Sequence, residues 1–112
     1  MSITAKTLIS SHFALATDNP EYTVPTSTKT IIDKFTAANT DSVARTLTIN
    51  LIPTGGTLGA SNILISAVSI AAGAVFDSTE MRSQILSAGD VISVKASAAG
   101  VVVIRASGRE IV

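Results

Sequence analysis

Polar and apolar residues alternate with a period of two through most of this chain, most cleanly in two stretches. In Thr46-Leu47-Thr48-Ile49-Asn50-Leu51, the side chains of Leu47, Ile49 and Leu51 share one face and those of Thr46, Thr48 and Asn50 the other, as in a half-buried strand. Residues 92–97 repeat the alternation. After Ala98-Ala99-Gly100 the chain returns through Val102, Ile104 and Ala106, with Val103 and Arg105 on the opposite face. Two hairpins are therefore expected, over residues 29–53 and 89–108.

The remaining segments read in the same terms. Residues 4–17 form a first strand with Ile9, Phe13 and Leu15 inward and Lys6, Ser10 and His12 outward, interrupted at Leu8. Asp18-Asn19-Pro20 is a turn, residues 21–24 a short strand, and Pro25-Thr26-Ser27-Thr28 a second turn. In residues 29–39, Ile31, Phe35 and Ala37 point to the core and Ile32, Lys34 and Thr36 away from it, which would aim Asp33 inward. An unpaired buried carboxylate costs several kcal/mol, so Asp33 lies at the rim or a bulge shifts the phase beside it.

Gly55, Gly56 and Gly59 mark residues 53–59 as an exposed, mobile loop. Residues 62–70 carry apolar side chains on both faces, as in a strand covered by the core on one side and by a neighbouring subunit or loop on the other. A turn at 71–73 and a short strand at 74–77 follow, and Ser78 is placed to cap Met81 at the start of a helix of at most two turns. The sum is an all-β chain of about eight strands with at most one short helix. Short turns between strands fit a single domain, residues 1–112, folded as a two-layer antiparallel β-sandwich, immunoglobulin-like or jelly-roll-like.

Charge changes the picture. Only 14% of the residues are charged, eight basic against eight acidic, whereas a soluble domain usually carries about 25%. A surface of Ser, Thr and Ala is suited to burial against another protein, and low net charge favours association. No basic stripe is available for a phosphate backbone, so nucleic acid is not an expected partner. The longest apolar stretch, residues 63–76, is too short and too interrupted to cross a bilayer as a helix, and residues 1–6 do not read as a secretion signal.

Candidate chemistry is sparse. His12, the single histidine, lacks a nucleophile or orienting partner in recognisable spacing, and without cysteine thiol chemistry is excluded. Asp18, Asn19 and Glu21 form the one compact oxygen cluster, without calcium-loop spacing, and read as an Asx turn. The glycines of residues 53–59 lack the Lys-Ser/Thr of a phosphate loop. With no Trp and one Tyr, Tyr22, an aromatic sugar platform is weakly supported, and Tyr22, Phe13, Phe35 and Phe76 read as packing residues. Neither an enzyme nor a cofactor or metal is expected.

Several phrases together resemble small virion structural proteins of tailed bacteriophages: the Tyr22-Thr23-Val24-Pro25 segment, Thr46-Leu47-Thr48-Ile49, Leu86-Ser87-Ala88-Gly89-Asp90-Val91-Ile92, and Val103 to Glu110 at the carboxyl end. The resemblance implies a β-sandwich used in capsid decoration, a head-tail collar or neck, or a tail accessory part. It implies location in the virion after assembly in the host cytoplasm, and partners that are further copies, as a trimer or ring, and other virion proteins. The contact surfaces expected are Leu64, Val68 and Ile70 together with Ile3, Thr4, Lys6, Glu110, Ile111 and Val112, the alternative being that these are ordinary core and edge. A receptor- or glycan-binding β-sandwich module is the competing function.

Overall fold

The computed structural model describes all 112 residues. Nine strands follow in order: β1 (Ile3–Phe13), β2 (Asn19–Thr23), β3 (Lys29–Asn39), β4 (Arg45–Ile52), β5 (Ile63–Ile70), β6 (Val75–Asp77), β7 (Ile85–Leu86), β8 (Val91–Ala96) and β9 (Val102–Ile111). They form two antiparallel sheets. The first, here the terminal sheet, runs β1-β9-β3-β6 with β7 also on β3; the second runs β2-β8-β4-β5. The strands β6 and β7 pair with separate parts of β3, Thr36 to Ala38 and Thr30 to Ile31, so they are two halves of one interrupted edge strand. Counted that way, the strand order is that of a double Greek key jelly roll.

Neither expected hairpin forms. Strand β3 pairs with β9, β6 and β7 and never with β4, and β8 pairs with β2 and β4 while β9 pairs with β1 and β3. Alternation identifies a half-buried strand without naming its partner, and the segments at 40–44 and 97–101 cross between sheets instead of turning back. The two crossings run together: the Thr40 backbone N–H donates to the Val101 carbonyl at 2.8 Å and the Ser97 N–H to the Thr46 carbonyl at 3.0 Å. Only β4 and β5 are consecutive strands that pair.

Between the sheets lie Phe35, Ile32, Leu47, Ile49, Ile92, Val94, Val102 and Ile104, all fully enclosed. The bulge suspected at Asp33 is present, as a register shift between Ile32 and Lys34. It turns Ile32 into the core in place of the half-buried Ile31 and leaves Asp33 outside, against Arg109. Two more shifts in β1, between Thr7 and Ile9 and between Ile9 and His12, turn both Leu8 and Ile9 inward. The strand stops at Phe13, and Phe13 and Leu15, expected inside, are 47% and 46% exposed while Ala14 is buried between them.

Asn50 is buried despite its outward position, because the single 3-10 turn at Ala60–Asn62 folds over it. Its side-chain amide donates to the Gly59 carbonyl at 3.1 Å and to Asn62 Oδ1 at 2.7 Å. The glycine loop is exposed but pinned: the Thr54 N–H donates to Asp90 Oδ1 at 2.9 Å. The helix expected after Ser78 is absent. Ser78 Oγ does accept the Met81 N–H at 3.2 Å, yet the segment makes only turns, and Ser83 takes a left-handed φ of 66° that no helix continues through. Met81 is instead a core residue.

Candidate interaction surfaces

Where β1 and β2 border the gap between the sheets, polar side chains close it. Lys6 on β1 reaches across to Glu110 on β9, with Nζ donating to Oε1 at 3.0 Å, and Tyr22 on β2 donates its hydroxyl to Glu110 Oε2 at 2.5 Å. The same hydroxyl lies 2.7 Å from Thr30 Oγ1, which is fully buried. Burial, reinforced by the Glu110 carboxylate, pushes the Tyr22 hydroxyl up to about 12. The Tyr22 hydrogen bond, and then Lys6, holds the Glu110 carboxyl below the ordinary carboxylate range despite its burial. A neutral tyrosine and an ionised, saturated carboxylate form a tie between sheets and carry no labile proton.

Further along the same gap His12 Nε2 meets Glu21 Oε1 at 2.7 Å, and Nδ1 lies 2.6 Å from the Ser10 carbonyl oxygen. Both ring nitrogens thus face acceptors, an arrangement satisfied only by the imidazolium. The hydrogen bond to Ser10, and the charge of Glu21, raise the His12 pKa accordingly. Asn19 also donates to Glu21, at 3.0 Å, so both Glu21 oxygens of the oxygen cluster expected near residue 18 are engaged, one by Asn19 and one by His12. No three His, Cys, Asp or Glu side chains converge on one point.

The outer face of the terminal sheet is different in character. Register places Phe13 beside Val103, Val103 beside Ala38, and Ala38 beside Val75, a transverse apolar row crossing four strands. Val75 is 65% exposed. Toward the other end Ile3 stands beside Ile111, and Ile31 beside Ile85, which is also 65% exposed. Between these apolar ends runs a polar belt in which Lys34 faces Ser107 and Thr36 faces Arg105, the four bounding, with Ala106, a hollow of about 260 Å³. Arg109 grips Asp33 bidentately and Arg82 pairs with Asp77, whereas Lys34 and Arg105 face no carboxylate.

The residues expected to make contacts divide among several environments. Ile70 is 3% exposed and belongs to the core, because at the end of β5 its side chain lies on the inner face. Leu64 and Val68 are half-buried and pack on the same core, so β5 carries no separate apolar outer patch. Glu110 is buried in the tie with Tyr22 and Lys6, and Thr4 and Lys6 are exposed on β1. The terminal segments pair with each other and not outward: Ser2 and Val112 exchange two backbone hydrogen bonds of 3.0 and 2.9 Å, and Ile111 is flanked by both Ile3 and Lys29. Ile3 and Val112 stay exposed beside a shallow apolar recess of about 430 Å³ at that end, lined by Met1, Lys29, Ala88, Ile111 and Val112 among others. No protein-family model, curated protein or solved structure matches this chain.

Proposed function

We propose that this protein is a non-catalytic structural subunit acting through self-association and protein-protein contacts, as a component of a tailed-phage particle. The observation that carries the self-association is the outer edge of β5. This strand pairs with β4 alone, runs eight residues, and contains neither a charged side chain nor a proline. Folded proteins usually defend such an edge with Lys, Pro, a bulge or a cover, since its unpaired N–H and C=O groups recruit other strands; β5 has a bulge at Ala67, whose φ is 47°, and none of the other three. A second copy adding its own edge would satisfy the unpaired groups, with the exposed Ile63 contributing apolar contact. A charge-poor surface, exposed apolar rows and the absence of a reactive constellation support the same reading, and the virion assignment rests on the sequence resemblance.

Absolute mass by light scattering over a range of concentrations tests self-association. The expected result is a dimer, or a larger assembly built on that dimer, that Ser66→Lys with Ser69→Lys, both on exposed β5 positions, reduces to monomer or splits at the β5 contact. A wild-type chain that is monomeric throughout refutes the reading. Co-sedimentation with tailed and tailless phage particles tests the virion assignment, and failure to pellet with either overturns it.

A further inference from the structure

The chain is neutral overall, yet its unpaired positive charge is not evenly spread. Four of its cations are paired: Lys6 with Glu110, Arg45 with Asp41, Arg82 with Asp77 and Arg109 with Asp33. Lys29, Lys34, Lys95 and Arg105 have no carboxylate within ion-pair distance, and three of these four, all but Lys95, project from the outer face of the terminal sheet. The paired Asp33 and Asp77 are the carboxylates of its strands there, each already neutralised.

We propose that this face docks a partner protein that presents carboxylates between apolar side chains. The carboxylates seat in the Lys34–Arg105 hollow, where the Thr36 and Ser107 hydroxyls lie beside the cations as further donors, and the apolar side chains cover the Phe13–Val103–Ala38–Val75 row. Charge decides the occupant. A second copy laid face to face would set one surplus of unpaired cations, Lys29, Lys34 and Arg105, against another, the strand carboxylates Asp33 and Asp77 being already paired, and like charges across an interface oppose association. A nucleic acid would leave the flanking apolar rows uncovered. The row lies one alternate-residue step along β9 from the belt, Val103 to Arg105, roughly 7 Å, so one extended segment or one flat patch reaches both.

This inference rests on the reading of the protein as a contact subunit, but uses a surface separate from the β5 edge. It is tested with the peptide Val-Asp-Glu-Asp-Val, followed by amide chemical shifts of the labelled full chain. The expected result is saturable shifts confined to β3, β6, β9 and the end of β1, weakened by salt. Lys34→Ala and Arg105→Ala, both exposed positions, should each weaken the peptide roughly two- to five-fold, the effect of one exposed ion pair. Val75→Ser should weaken it further, while Lys95→Ala leaves it unchanged.

Three outcomes overturn the proposal: no saturable shifts, shifts equally strong around Lys95, or the same shifts from sodium sulfate at matched ionic strength, which would mark a site for free oxyanions. Light scattering on the same sample separates the two readings. A wild-type assembly that ignores the peptide overturns the docking face alone, and a monomer that ignores it overturns both.

Discussion

Gly108 allows a steric prediction with little freedom in it. It sits inside β9, between Lys6 on β1 and Ile32 on β3, at the point where the β3 bulge brings the neighbouring backbone close. A β-carbon there would fall well inside 3.0 Å of the Ile31 carbonyl oxygen and would approach Leu8 Cδ1 to 2.9 Å. The leucine can rotate; the carbonyl belongs to the adjoining strand and cannot. Overpacking of a core costs about 1–3 kcal/mol, and a backbone obstacle in the middle of a sheet belongs at the upper end. The narrower unfolded ensemble of alanine returns about 0.5 kcal/mol, leaving about 2.5 kcal/mol of net loss for Gly108→Ala.

An unfolding entropy of about 2.1 cal/mol/K per residue over 112 residues makes 1 kcal/mol about 4 °C, so the midpoint should fall by about 10 °C. Gly100→Ala is the control, because nothing lies within 4 Å of its added carbon and only the left-handed φ of +72° opposes it. That costs about 1 kcal/mol, or about 4 °C. Thermal and urea melts of both variants decide the matter. If Gly108→Ala melts within a degree or two of Gly100→Ala, β3 does not approach β9 as described.

Four further outcomes concern the ties across the gap. Tyr22→Phe removes the hydroxyl donated to Glu110 and strips buried Thr30 of its partner, and should lower urea stability by about 1.5–2 kcal/mol; a variant as stable as wild type would show that the tie contributes nothing. In the wild type the single tyrosine should resist ionisation until about pH 12, against an ordinary 10.0, a difference ultraviolet titration reads directly. Because the folded Glu110 pKa is depressed below its ordinary 4.5, its contribution is present above that value and lost as pH falls toward the folded pKa. Glu110→Gln should flatten that part of the acid stability curve, and an unchanged slope would remove Glu110 from the account. His12 has the opposite sign: its raised pKa means a contribution fully present below 6.5 and lost as pH rises through the folded value. His12→Gln should abolish the loss, and an imidazole NMR titration at or below 6.5 would contradict it.

The sandwich was readable in the chain because alternation is a local property, written into Leu47-Thr48-Ile49 and Val102-Val103-Ile104 alike. Partnership is not local, which is why neither hairpin forms although the strands composing them exist. Asp33 shows the more useful case: an inward carboxylate contradicted the pattern, and the contradiction marked the bulge. Leu8 carries the same signal: its interruption of the alternation marks the irregular register of β1. Asn50 failed for another reason, since nothing local announces that residues 59–62 fold over its outward face. The Phe13–Val103–Ala38–Val75 row was illegible as a surface because its members come from four strands and meet only through the register.

The alternation of the chain between the two sheets has a consequence for how the molecule comes apart. Residues before the glycine loop supply β1 and β3 to one sheet and β2 and β4 to the other, and residues after it supply the strands that lie between and beside them. A protease nick at Gly55 or Gly56 would leave two fragments interleaved like clasped fingers, each unable to leave without dismantling both sheets. Such a molecule has few contacts that can form early and none that can be surrendered piecemeal, so it should fold slowly and unfold all at once.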